Sequence, residues 1–373
     1  MKKLLCAFLF FAFFLCPVCF ASESTKELIE STDLSEIESF LNEQNLPYTF
    51  REMVDKILDK ENPIEFSDFK DYIKSVFFGE AKNTFKMALK LVSVSVLFSL
   101  LKNIKPESFS VSVNNAAFFV FYLLVSFMLS KIFLYGVNTG KAVINNLNYL
   151  ISTSMPLLMA FMAGSGAAGS AALINPIILI GIEVLSVLIR IFFMPLIYGI
   201  GVLSLFSPFS EGFNITPVLN TLKSSLKWSM GLCFSLFTGL ISIYASFGSA
   251  TDNLSYRAAK YVVGSAVPVV GPLLSDTMGV FTFSCAVLKN AFGIAVIFII
   301  ILLLLMPVIK LFLVMLSLNF SSLLVSSITD KKISSQLSEI SGAISYILAL
   351  VCLTGVLFIV CMAVIIHTAN NIG

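Results

Sequence analysis

Apolar residues fall into two regimes along this chain, and the change comes near Asn83. Before it, positions such as Leu28, Ile29, Leu34, Ile37, Phe40 and Leu41 recur at three- and four-residue steps among carboxylates, which predicts short amphipathic helices. Thr32 and Asp33 are candidate caps for the helix holding Ile37 to Leu41, and Pro47 ends it. A second helical pattern runs from Phe50 to Leu58, and a third, beyond Pro63, from Phe66 to Phe78. From Thr84 onward the apolar runs lengthen. A membrane crossing needs about 20 apolar residues, and eight runs are read as spans: Phe85–Leu101, Phe109–Ser130, Ala142–Ala163, Ala171–Leu205, Met230–Gly248, Tyr261–Leu288, Phe292–Leu318 and Ile340–Ile366. The fourth is too long for one straight crossing and is expected to bend, or to lie partly in the interface, near Pro195. In the first, Lys86 and Lys90 are expected to reach for an interface by snorkelling.

The extreme N-terminus follows a third pattern. Lys2 and Lys3 precede an apolar core from Leu4 to Leu15, then Pro17 and the small residues Cys19 and Ala21. That is the layout of a secretory signal peptide over residues 1–21, with a plausible cut after Ala21; cleaved or retained as an anchor, it would deliver the next segment outside the cytoplasm. The expectation is therefore an all-α chain in three parts: a signal peptide, 1–21; an acidic helical extracytoplasmic region, 22–83; and a multi-span membrane domain, 84–373.

Composition supports the membrane domain. Residues are 57% hydrophobic and only 12% charged, where soluble domains carry about 25% charged residues. The formal charge of +2 conceals an asymmetry, since Ser22 to Asn83 carries −8 and Thr84 to the end carries +8. With eight crossings and residues 22–83 outside, Lys102, Lys105, Arg257, Lys260, Lys331 and Lys332 fall in cytoplasmic turns. Lys131, Lys141, Lys223, Lys227 and Lys289 then fall outside, and the paired inside charges match the positive-inside tendency.

Charges and helix breakers converge in one stretch, Ala250 to Gly279. It is apolar enough for a bilayer yet holds Arg257, Lys260 and Asp276 and is interrupted by Gly264, Pro268, Gly271 and Pro272. Broken backbone and ions are tolerated at membrane depth where they line a cavity or path, or pack against neighbouring helices. These seven residues form the candidate pore, gate or partner-contact site. Glu183 and Arg190 are candidate intramembrane polar residues, seven positions apart and so on one helix face about 10 Å from each other. Each needs a partner on another helix, or water.

Other chemistry is thin. Cys233, Cys285, Cys352 and Cys361 lie singly in apolar runs and His367 stands alone near the end, so neither disulfide, metal nor cofactor is expected. Gly164 to Ser170 lacks the Gly-Lys-Ser/Thr end of a phosphate loop and reads as a hinge or a close helix crossing. Asn214 to Trp228, with Lys223 and Lys227 on one side, reads as a helix lying along the membrane interface. No catalytic set and no basic nucleic-acid module is present, which argues against an enzyme and a nucleic-acid partner.

Several stretches resemble the stage III sporulation protein AE family. They are Arg-Ala-Ala-Lys-Tyr at Arg257 to Tyr261, Val-Pro-Val-Val-Gly at Val267 to Gly271, and Ser275 with Asp276. Met-Pro-Leu-Ile-Tyr around Pro195, Lys223 to Trp228 and Leu288 to Gly293 support the likeness. The resemblance implies an integral membrane component of the channel, or feeding tube, between mother cell and forespore, needed for late forespore development. It implies a scaffold or export-gate-like conduit subunit in the mother-cell-derived membrane around the forespore. Its partners would be the lipid bilayer, other stage III sporulation membrane proteins and a forespore-side channel protein, in a multi-subunit complex. The residues alone also allow a stand-alone secondary transporter using Asp276, Glu183 and Arg190.

Overall fold

The structure is a computed structural model that describes residues 32–44, 48–58, 66–103, 111–206, 215–266, 271–328 and 331–367, together with Ile29 and Leu46. The segment expected to be a signal peptide lies outside the described residues. All described elements are helical: α1 (Ser35–Glu43), α2 (Phe50–Leu58), α3 (Phe66–Asn103), α4 (Val111–Gly164), α5 (Ala168–Leu188), a π turn (Ile189–Phe193), α6 (Met194–Phe206), α7 (Thr216–Ala266), α8 (Gly271–Ile328) and α9 (Lys331–His367).

Local chemistry sets several of these boundaries. The α2 helix starts at a capping box, in which the Thr49 amide donates to Glu52 Oε2 at 2.9 Å and the Glu52 amide to Thr49 Oγ1 at 3.3 Å. At α1, Leu34 occupies the cap position, while the Asp33 carboxylate accepts the Ser35 amide at 3.0 Å. The Ser35 hydroxyl and amide together hold the Asp33 carboxyl below its ordinary value. Between α4 and α5 the chain reverses in three residues. The Ala167 amide donates to the Met162 carbonyl and the Gly166 amide to that of Ala163, both at 3.1 Å, with Gly166 at φ 89°. Those bonds make a Schellman cap, whose left-handed residue suits glycine.

Helix continuity is where the structure departs from the eight expected spans. The described part of Phe109–Ser130, from Val111 on, and all of Ala142–Ala163 lie in one helix, α4, which continues through Lys131 and Lys141. Likewise α8 takes in most of Tyr261–Leu288 and all of Phe292–Leu318, continuing through Lys289 and Asn290. Those charges therefore sit on helical faces and not in turns. Among the described residues five helical stretches are long and apolar enough to cross a membrane: Phe119–Gly164, Ala168–Phe206, Thr216–Tyr244, Thr277–Ser327 and Lys332–His367. They fit a multi-pass membrane protein. Ala171–Leu205 is interrupted by the π turn just ahead of Pro195, which lacks the N–H that a regular ladder would use. The position expected as a domain boundary, Asn83, falls inside α3.

Contacts between helices fix their relative heights. Helix α8 is the hub, packing against α9, α4, α3, α7 and α2. It runs antiparallel to α9: Ser322 Oγ donates to the Ser334 carbonyl, Ser341 Oγ to that of Met315, and Leu304 fills the notch at Gly355. Helix α4 runs parallel to α9, with Ser126 bonded to Gln336 and Gly140 against Ile347. The α5–α6 rod returns along α4, since Asn148 bonds Ser186 at 2.8 Å and Gly201 receives the Phe133 ring. The small helices α1 and α2 lie on this bundle. Phe40 stacks on Tyr149, Asn146 bonds Gln44 at 2.7 Å, and Phe292 sits between Phe50 and Phe161 with ring centroids 5.2 and 5.1 Å away.

Candidate functional site

The charged, broken stretch becomes the tip of a long helical hairpin. Arg257, Lys260 and Gly264 lie in the last turns of α7, Gly271, Pro272 and Asp276 in the first turns of α8, and Pro268 in the four positions between, outside the described residues. Pro272 at the second position of α8 costs no ladder bond, because the first amides of a helix have no intrahelical acceptor. Helices α7 and α8 pack against one another across the four positions that separate them.

The height of this tip follows from Gly164. A Cβ on Gly164 would meet Cys285 Sγ at 2.8 Å, so the α4–α5 turn lies level with Cys285. Helix α8 begins 14 residues earlier, at Gly271, and at 1.5 Å per residue it overhangs that turn by roughly 20 Å. At the base of the overhang Val280, Phe281 and Phe283 are exposed, and Tyr261 of α7 is 76% exposed. The hairpin therefore carries exposed apolar side chains on both helices, with the candidate charged positions in its last turns.

Glu183 and Arg190 stand elsewhere. Both are exposed on the outer side of the α5–α6 rod, Arg190 within the π turn, among exposed Ile180, Val184 and Ile191. They do not converge with the hairpin tip, nor do they face the bundle interior. Of the stretch expected to lie along the interface, Asn214 to Trp228, the part from Thr216 on opens α7 and is pinned to α9. Lys223 pairs with Glu339, and Lys227 lies 5.7 Å from the Tyr346 ring centroid.

Three polar contacts escaped the sequence reading. Lys310, in the most apolar helix, pairs with Glu80 of α3 at 3.1 Å, both side chains about a quarter exposed. Lys289 is completely buried and its ammonium donates to the Ile366 carbonyl at 3.0 Å, where the C-terminal end of α9 favours a cation. Gln336 donates both to Ser126 Oγ at 2.7 Å and to the Leu205 carbonyl at 2.8 Å, joining α9, α4 and α6. Partners 77 to 230 residues apart leave no local signal; the only hint was a charge or amide inside an apolar run. Among the described residues, no three His, Cys, Asp or Glu side chains come together as a metal site would require.

Comparison with known proteins adds what geometry does not. The family model described as stage III sporulation protein AE matches residues 48–369. The stage III sporulation protein AE of Bacillus subtilis (strain 168) is 27% identical over 275 residues, which cover 74% of this chain and 68% of that one. No solved structure matches the chain.

Proposed function

This chain belongs to the stage III sporulation protein AE family, and from that premise we propose that it is a non-enzymatic scaffold and conduit subunit of a channel between mother cell and forespore. The amino-terminal targeting segment, residues 1–21, starts it into the mother-cell membrane that comes to surround the forespore. There it assembles with other stage III sporulation membrane proteins and with a forespore-side partner. The observation that carries this reading is the overhanging α7–α8 hairpin. A lipid-solvated bundle gains nothing from a hairpin whose α8 arm runs about 20 Å past the α4–α5 turn and whose last turns hold Arg257, Lys260 and Asp276. A subunit that must reach a gate or another subunit does.

The transporter reading loses its structural support with the placement of Glu183 and Arg190. A coupled transporter keeps its ions facing the bundle interior or a water-filled path, and these two lie on the outside of the rod.

The test is replacement of Arg257 and Asp276 by alanine in the sporulating organism, with membrane levels of the protein measured in parallel. Loss of heat-resistant spores at unchanged membrane level is expected for both variants. Normal spore yield from both would remove the hairpin tip from the mechanism.

A further inference from the structure

Helix α3 has two long faces of opposite character. The inner face, Thr84, Ala88, Leu91 and Ser95, is buried, and α3 packs chiefly on α8. On the outer face Lys82, Lys86 and Lys90 recur at four-residue steps, all exposed, with Phe78, Phe85 and Leu89 exposed between them. At 1.5 Å per residue these three lysines cover about 12 Å of helix. Glu80, the one nearby acid, is already engaged by Lys310, and from Ala81 to Asn103 the helix contains no other carboxylate. The outer face is therefore of a single sign.

Two solvents fit this face badly. Hydrocarbon solvates none of the lysines, and water leaves the Phe and Leu side chains without cover. A layer with phosphates at one level and acyl chains beside it satisfies both, since lysine stems lie along apolar surface while their ammonium groups reach for charge. The neighbouring helix carries the same sign at the same height. Leu311, next to Lys310, packs at Gly136 of α4, and exposed Lys131 and Lys141 lie five residues to either side of that glycine. Their ammonium groups sit 4.5 Å from the Phe127 ring centroid and 5.1 Å from that of Tyr198, an aromatic–cation pairing common where a protein meets headgroups.

We propose that the outer face of α3 binds anionic phospholipid headgroups through Lys82, Lys86 and Lys90, and so sets the height at which the membrane surface meets the bundle. This rests on the membrane placement of the bundle and is independent of the sporulation role. The height matters because α4 and α8, at 54 and 58 residues, are about 81 and 87 Å long, against a hydrocarbon core of about 30 Å. Length alone leaves their vertical position open; a cationic band fixes it.

The experiment uses the full chain in vesicles of phosphatidylcholine with a minor fraction of phosphatidylglycerol. Trp228 is the only tryptophan, so Phe85→Trp in a Trp228→Phe background places a single reporter on the face. Brominated phosphatidylglycerol should quench it severalfold more than brominated phosphatidylcholine at equal mole fraction. The preference should shrink in high salt and vanish in the Lys82→Gln/Lys86→Gln/Lys90→Gln variant, whose thermal unfolding should match that of the parent. Equal quenching by the two lipids, or a preference that survives the triple substitution, would overturn the proposal. So would a parent without lipid preference whose triple variant loses co-purifying sporulation proteins, because that outcome assigns the face to an acidic protein.

Discussion

The α8–α9 seam and helix α3 use similar residues in opposite ways. On the seam, three polar groups point inward to a chosen partner: Lys289 at the Ile366 carbonyl, Ser341 at the Met315 carbonyl, Ser322 at Ser334. Glycines there are notches, with Leu304 entering at Gly355 and Ile366 at Gly293. On α3 the lysines point outward, and Gly79 has nothing within 4 Å of where a Cβ would stand. Where apolar burial between helices is scarce as a driving force, close approach and hydrogen bonding hold the seam, whereas among the described residues α3 meets α8 through buried Thr84, Ala88, Leu91 and Ser95 and the Glu80–Lys310 pair. Residue type does not distinguish the two regions; orientation does.

Lys289 offers the largest contrast. If the seam depends on both its volume and its bond to α9, Lys289→Ala should destabilise the folded protein in detergent by about 2–4 kcal/mol through a cavity and a lost donor. Lys289→Met keeps most of the volume and also removes the cost of burying a charge, so a loss of about 1 kcal/mol is expected. Equal losses in denaturant titrations of the two variants would show that packing plays no part at this site. The matched change on α3, Lys86→Met, should leave stability unaltered within about 0.5 kcal/mol.

Glycine replacement sharpens the same comparison at a second pair of sites. A Cβ on Gly201 would lie 2.3 Å from the Phe133 ring, and a ring packed between α4 and α6 has little room to yield. Gly201→Ala is expected to cost about 1–3 kcal/mol. Gly79→Ala on α3 meets no neighbour and exchanges glycine for a better helix former, so a gain of up to about 1 kcal/mol is expected. Thermal unfolding of the two variants reads both signs at once. A neutral Gly201→Ala would mean that α6 can slide on α4.

How much of this was legible in the sequence depends on what the signal reports. Three- and four-residue periodicity found α2 at Phe50 to Leu58 and placed the start of α3 at Phe66, because amphipathic burial leaves its mark residue by residue. The glycine and proline cluster between Gly264 and Pro272 marked the break between α7 and α8 for the same local reason, although Arg257 and Lys260, read as a turn, and Tyr261, read as the start of a span, all lie within α7. Hydropathy failed at Lys131, Lys141 and Lys289, where a drop in apolar character was read as a turn. The drop reports what surrounds a side chain, not whether its backbone ladder continues, and lysine is a good helix former. Charge partners were illegible altogether, since nothing near Lys310 in the chain points to Glu80, and nothing near Lys223 points to Glu339.

The smallest effect tests the joint between the two regions. Glu80 and Lys310 are each about three-quarters covered, so the pair is neither a screened surface bridge nor a fully desolvated one. Removing one partner strands the other charge beside apolar helices, and Lys310→Met or Glu80→Gln alone should each lower stability by about 1–2 kcal/mol. In the double variant no charge is stranded, and stability should return to within about 0.5 kcal/mol of the parent. A coupling energy of about 1.5–4 kcal/mol in that cycle, the two single losses recovered in the double variant, means the ion pair holds α3 to α8. A cycle that closes to zero means the buried strip of Thr84, Ala88, Leu91 and Ser95 holds it alone. In that case Glu80→Gln would leave α3 in place, with Lys310 as one more cation beside a face already basic.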